Sequence, residues 1–96
     1  MEQFERITYM EQILDEATEA VSSLSESLEK YSAVQDKLQE LVAYYSSEQW
    51  HHDFDDDSAG KIPSNLKRGV LSEDAVHNLL TDVTRLEGQM KKLSTQ

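Results

Sequence analysis

The first half of the chain carries apolar residues at steps of three and four. This spacing is the period of an amphipathic α-helix, whereas a strand would alternate every second residue. No glycine or proline interrupts residues 4–45, so the pattern predicts one helix over about residues 3–46. The apolar positions, called the α1 stripe below, are Phe4, Ile7, Met10, Leu14, Ala17, Val21, Leu24, Leu28, Tyr31, Val34, Leu38, Leu41 and Tyr45.

A run of serines at residues 22–27 (SSLSES) is the weak point of this predicted helix. Serine side chains compete for backbone hydrogen bonds and lower helix propensity. The stripe passes through the run without a phase slip, which favours a continuous or bent helix. A full break is the alternative, and it would let the first segment fold back as a third helix.

A second helix is predicted over about residues 72–94. Ser72 reads as its N-cap, and Lys91 and Lys92 in its last turn suit the carbonyl end of the helix dipole. Leu71 and Val76 occupy the two positions of a hydrophobic staple. The apolar residues that alternate by three and four along it are Val76, Leu79, Val83, Leu86, Met90 and Leu93, with Leu80 widening the face.

Residues 45–71 form an irregular crossover with one or two short helices in this interpretation. One short helix starts near Ser46 or Ser47, and Gly60 and Pro63 mark chain reversals. Residues 63–68 are predicted to form a single helical turn, closed by Gly69.

The predicted fold is all-α: a long antiparallel helical hairpin in a single domain over residues 1–96. The two helices differ in length, about 63 Å against roughly 35 Å at ~1.5 Å per residue. The shorter helix therefore leaves one end of the α1 stripe uncovered, and two copies are expected to pair there as a homodimeric helical bundle. The residues expected to stay uncovered within one chain are Phe4, Ile7, Met10, Leu14 and Ala17.

Composition narrows the range of partners. The net charge is −10, and the acidic excess lies in residues 1–60, which carry 15 acidic and 3 basic side chains, whereas residues 61–96 carry 4 acidic and 6 basic. Such a surface argues against nucleic acid and anionic lipid as partners. No apolar run approaches the ~20 residues that span a bilayer, and the N-terminal residues lack the features of a secretory signal. The absence of cysteine excludes disulfides and zinc–thiolate sites and suggests a cytoplasmic location.

The segment WHHDFDDDSAGK, residues 50–61, contains histidines and aspartates that could in principle bind a metal ion. Neither EF-hand register fits, because one places Ser58 where glycine is needed and the other places Leu66 where glutamate is needed. His51 and His52 are adjacent, so on a helix they point in different directions and cannot chelate one ion. No metal, cofactor or catalytic site is predicted here.

Lys67 and Arg68 raise two alternatives. Together with the helix start at Ser72 they could bind a phosphate or an acidic peptide. The favoured alternative is structural: both cations neutralise the aspartates from Asp53 to Asp57, above a floor that contains Trp50.

The stretches YYSSEQW (44–50) and KIPSNLKRGVLSED (61–74) make the chain recognisable. They resemble the bacterial family catalogued as domain of unknown function 4298, and the similarity extends along nearly the whole chain. The resemblance implies a small bacterial cytoplasmic protein with no assigned activity, and it supplies no catalytic residue.

The preferred function is therefore a non-enzymatic helical interaction or regulatory protein. An anion- or phospho-ligand-binding domain that uses Lys67, Arg68 and the N-terminus of helix 72–94 is the alternative. A metal-dependent hydrolase is less favoured. Its carboxylates would be Asp15, Glu16 and Glu19, which lie off the α1 stripe, and the C-terminal helix offers no matching acidic pair.

Overall fold

The structure is a computed structural model that describes all 96 residues, and it is helical throughout, without strands. Helix α1 spans Gln3–Tyr45, α2 spans Glu48–Ser58 and α3 spans Ala75–Ser94, and a 3-10 turn lies at Gly69–Leu71. The chain divides into two compact units, residues 1–40 and residues 41–96. The all-α class is confirmed. The predicted antiparallel hairpin and the predicted single domain both depend on how these two units are arranged, so both stay predictions.

Residues 1–40 are the greater part of one unbroken helix. Helix α1 continues through the serine run at 22–27, so the break that was the rival prediction is absent. The predicted bounds, residues 3–46, differ from the observed bounds by one residue at the C-terminal end. Every residue up to Lys30 is exposed, and partly covered side chains begin at Tyr31.

Helix α2 is longer than the sequence predicted. Ser47 caps it, because its Oγ accepts a hydrogen bond from the amide of Trp50. At the other end Gly60 adopts a positive φ of 75°, and the amides of Gly60 and Lys61 donate to the carbonyl oxygens of Asp57 and Asp56. The acidic segment that was predicted to be a crossover loop is therefore mostly a helix, with a Schellman-type end.

Helix α3 begins three residues later than predicted. Ser72 ends the 3-10 turn, and its hydroxyl donates to the carbonyl oxygen of Gly69 and accepts from the amide of Ala75. Gly69 opens this 3-10 turn, so the prediction that it closes a helical turn over 63–68 is wrong. The predicted turn is reduced to one hydrogen bond, from the amide of Leu66 to the carbonyl oxygen of Pro63.

The core of residues 41–96 is small. Its buried side chains are Trp50, Leu71 and Val76, which are 8%, 6% and 3% exposed. One comes from α2, one from the 3-10 turn and one from α3, and the 3-10 turn contacts both helices. The turn is therefore the element that brings α2 and α3 into one unit. None of the helices combines the length and the hydrophobicity that a membrane-spanning segment requires.

Candidate functional site

Trp50 stands at the centre of an aromatic cluster. Its ring stacks on Phe54 at a centroid distance of 5.1 Å and meets the edge of Tyr45 at 5.1 Å. Its indole Nε1 donates a hydrogen bond of 2.9 Å to the carbonyl oxygen of Val70. Since both the ring and its one polar atom are used inside the chain, Trp50 acts here as a core residue and is not available as a recognition aromatic.

The aspartates of α2 have separate partners. Asp53 Oδ2 accepts a hydrogen bond of 2.6 Å from the hydroxyl of Tyr44. This bond, partial burial and the carboxylate charge together raise the pKa of Tyr44 to about 12. Asp56 lies 3.9 Å from Lys61 Nζ and 3.7 Å from His52 Nδ1. The cluster is therefore divided among local partners and does not converge on one point.

Arg68 reaches back to α2. Its guanidinium donates to Asp57 Oδ1 at 2.5 Å, and both side chains are partly exposed. Lys67 is exposed and lies within 4.0 Å of no carboxylate, so the predicted neutralisation by both cations is correct for Arg68 only. Asp53, the other aspartate of the predicted staple, is held by Tyr44 instead.

The groups of the alternative anion site are largely in use. Arg68 is paired with Asp57, and the hydroxyl of Ser72 is bonded to Gly69 and Ala75. Glu73 and Asp74 stand directly before α3, where they place negative charge at the end of the helix that would attract an anion. Lys67 alone has no ion-pair partner, and one exposed lysine does not define a site.

The side chains that could bind a metal ion are not grouped into a site. No group of three or more histidine, aspartate or glutamate side chains in the chain is placed to hold a metal ion. Asp15, Glu16 and Glu19 are all exposed on α1.

The apolar face of α1 is exposed up to Leu28. Its side chains include Ile7, Leu14 and Val21, which are 50%, 58% and 67% exposed. Met10, Leu24 and Leu28 are exposed by 54%, 54% and 43%. We call the part of the face from Ile7 to Leu28 the uncovered segment.

Burial also refines the register of the α1 stripe. Val34 is 47% exposed, whereas the partly covered side chains of α1 are Tyr31, Gln35, Leu38, Leu41, Val42, Tyr44 and Tyr45. Gln35 and Val42 continue the seven-residue spacing of Ile7, Leu14, Val21 and Leu28, and both are partly covered. The predicted stripe residue Val34 is exposed and lies off this register, whereas the predicted residue Leu41 is partly covered beside it. With this correction, heptad positions a and d can be assigned along the helix. Positions a are Ile7, Leu14, Val21, Leu28, Gln35 and Val42, and positions d are Met10, Ala17, Leu24, Tyr31, Leu38 and Tyr45.

A family model described as a domain of unknown function (DUF4298) matches residues 7–93. The chain belongs to this family. A search of curated proteins and a search of solved structures found no match. The DUF4298 match begins at Ile7, the first a position of the uncovered segment, and ends at Leu93 in α3. It therefore includes the α1 stripe from Ile7 onward and the contacts around Trp50.

The contact of Tyr44 was not predicted from the sequence: its hydroxyl donates a hydrogen bond to Asp53, nine positions later. Tyr45, predicted as the last residue of the α1 stripe, contacts Trp50. The signal for Tyr44 was weak, because two adjacent tyrosines at a helix end do not indicate which one turns toward the next helix.

Proposed function

We propose that this protein is a non-enzymatic helical interaction protein that forms a homodimer through the uncovered segment of α1. The observation that carries the proposal is the exposure of seven successive a and d positions between Ile7 and Leu28. The a and d positions that continue this face from Tyr31 to Tyr45 are partly covered, which supports the proposal that the face is a packing surface.

The physical reason is the cost of leaving this face in water. A segment of 22 residues is roughly 33 Å long at ~1.5 Å per residue, and a contiguous apolar strip of that length is uncommon on a monomer. Most helices in proteins owe their stability to packing of the apolar face, and an isolated helix is marginal in water. Pairing two identical strips around a two-fold axis gives both helices a partner and closes the assembly.

Residues 41–96 have a supporting role in this proposal. Their contacts tie α2, the 3-10 turn and α3 into a small folded unit that lies after the interaction helix in the chain. The polar groups around Trp50 are used to hold that unit together, which supports a structural role for them. A cytoplasmic location in a bacterium completes the proposal, and it rests on the missing cysteines and on the family resemblance.

The test places like charges on the proposed interface. A double variant, Ile7→Glu with Leu14→Glu, should be monomeric by light scattering at tens of micromolar protein while the parent chain is dimeric. The matched control, Thr8→Glu with Gln12→Glu, adds the same charge to the outer face of the same turns and should stay dimeric. If both variants dimerise as the parent does, the uncovered segment is not the interface.

A further inference from the structure

The charges on the uncovered segment lie mostly away from its apolar face. Between residues 4 and 28 there are six acidic side chains, and five of them occupy the outer heptad positions b, c and f. The positions that flank the apolar face, e and g, hold only two charged residues in this range, Arg6 at g and Glu11 at e. A helix this acidic thus keeps the edges of its apolar face almost neutral.

Arg6 and Glu11 have no ion-pair partner of their own. Neither side chain lies within 4.0 Å of an opposite charge in the chain, and both residues are exposed. Five positions separate them, which on one helix places them on opposite edges of the apolar face. Each is therefore available to a partner helix on its own side.

Five positions is also the spacing that matters between two helices. In a parallel, in-register pair, a residue at g faces the e position five residues later on the partner helix. Arg6 of each copy then faces Glu11 of the other copy, and symmetry makes two such ion pairs. In an antiparallel pair, g positions face g positions and e positions face e positions, so no arginine–glutamate pair forms.

We propose that residues 6–28 of two copies form a parallel, in-register, two-stranded coiled coil, with Arg6 of each helix paired to Glu11 of the other. This inference rests on the proposed homodimer and adds its orientation and register. Two of the four a positions, Ile7 and Val21, are β-branched, and one of the three d positions, Leu24, is leucine. β-branched residues at a with leucine at d favour two parallel strands. The occupant of the uncovered segment is thus the same segment of a second copy.

Cysteine cross-linking tests the orientation directly, because the chain contains no cysteine. We would introduce Met10→Cys and Leu24→Cys separately, at d positions two heptads apart, and equilibrate each variant in a glutathione redox buffer. A disulfide needs Cα atoms within about 7 Å, and only a parallel, in-register pair brings both positions against their own copies. Both variants should therefore form covalent dimers, whereas Glu19→Cys, at an outer f position, should not.

The other outcomes separate the two proposals. Cross-linking at only one of the two d positions indicates an antiparallel pair; this overturns the orientation and leaves the homodimer standing. A dimeric mass without cross-linking at either position overturns the parallel, in-register orientation, since an antiparallel pair centred near Ala17 would place position 10 against position 24 of the other copy. The Ile7→Glu, Leu14→Glu variant then decides whether this segment is the interface, because a variant that stays dimeric places the interface elsewhere. A monomeric parent chain overturns the proposed function together with the inference.

Charge exchange tests the register. Arg6→Glu and Glu11→Arg should each weaken dimerisation by roughly three- to ten-fold, because each replaces two attractive pairs with two like-charge pairs. The double variant keeps the net charge of the parent and should restore the parent dissociation constant. Glu19→Arg is the control for Glu11→Arg, since it changes the net charge equally and leaves the edges of the apolar face intact. A double variant as weak as the single variants would overturn the pairing.

Discussion

The indole Nε1 of Trp50 lies 2.9 Å from the carbonyl oxygen of Val70, and it donates a hydrogen bond across 20 positions of sequence. Trp50 is in the first turn of α2, and Val70 is in the 3-10 turn that precedes α3. One bond from a buried side chain thus closes the long connection after α2. Residues 41–96 depend on it because only two other side chains of this unit, Leu71 and Val76, are buried.

Replacing Trp50 with phenylalanine should destabilise the fold by about 2 kcal/mol. The change removes the bond to Val70 and leaves a smaller ring against Phe54, and each loss contributes roughly 1 kcal/mol. Urea denaturation followed by circular dichroism, at one fixed protein concentration, measures the free energy of unfolding. A change below about 0.5 kcal/mol, the range of ordinary surface substitutions, would show that the contact does not hold the unit together.

Arg68 and Lys67 are adjacent cations with different contacts, which makes them a matched pair. Arg68→Glu should lower the free energy of unfolding by about 1 kcal/mol, because it replaces the contact with Asp57 by repulsion between two partly exposed carboxylates. Lys67→Glu makes the same change in net charge at an exposed position without an ion pair, and its effect should be close to zero. Equal effects of the two variants would mean that net charge and not the Asp57 contact matters.

Tyr44 should make the fold sensitive to alkali. Its pKa is about 12 in the folded chain, chiefly because its hydroxyl donates to Asp53, against an ordinary value near 10. The unfolded chain therefore loses this proton first as the pH rises. The stabilising contribution is fully present below about pH 10 and is lost progressively toward pH 12.

The Asp53→Asn variant tests the origin of this shift. It removes the charge beside the hydroxyl, so the pKa of Tyr44 should fall toward its ordinary value. The ring carbon that bears the hydroxyl can be followed by NMR up to about pH 12, with Tyr44→Phe to assign the signal and circular dichroism to show that the chain stays folded. An unshifted Tyr44 pKa in the parent chain would contradict the observed contact.

The sequence predicted the long helix closely and the α2 region poorly, for different physical reasons. Helix α1 has a sustained period and no glycine or proline, so its bounds follow from local information. Helix α2 contains four aspartates, which are weak helix formers, and its length depends on the cap at Ser47, the tie to Val70 and the turn at Gly60. The cap at Ser47 and the turn at Gly60 are local features of the sequence, but their combined effect on the length of the helix is seen only in the folded chain.

The contacts of the candidate site were also predicted only in part. The pairing of the basic segment with the aspartates was predicted from opposite charge, and Arg68 does contact Asp57. Which of two adjacent cations turns inward depends on backbone direction, and charge patterning carries no information about it. Similarly, Val34 and Gln35 both fit a step of three or four from Tyr31, and only burial showed that the polar residue lies on the covered face.

Dimerisation should strengthen as salt is added at low ionic strength. Each copy carries a net charge of −10, and repulsion between copies outweighs the attraction of two Arg6–Glu11 pairs. The Debye length falls from about 30 Å at 0.01 M salt to about 10 Å at 0.1 M, so the repulsion is screened over this range. The dissociation constant from sedimentation equilibrium should therefore fall. A constant that rises with salt would mean that attraction between charges holds the copies together.

The mass of the parent chain in solution decides whether the protein is a dimer. Sedimentation equilibrium at about 0.15 M salt, over protein concentrations from roughly one to one hundred micromolar, follows association across the range where a helical dimer of moderate affinity forms. We expect a species of twice the 11.0 kDa chain mass at the upper concentrations, with reversible dissociation on dilution. A single species of 11.0 kDa at every concentration would contradict it, because the exposed a and d positions of α1 would then have no second copy to cover them.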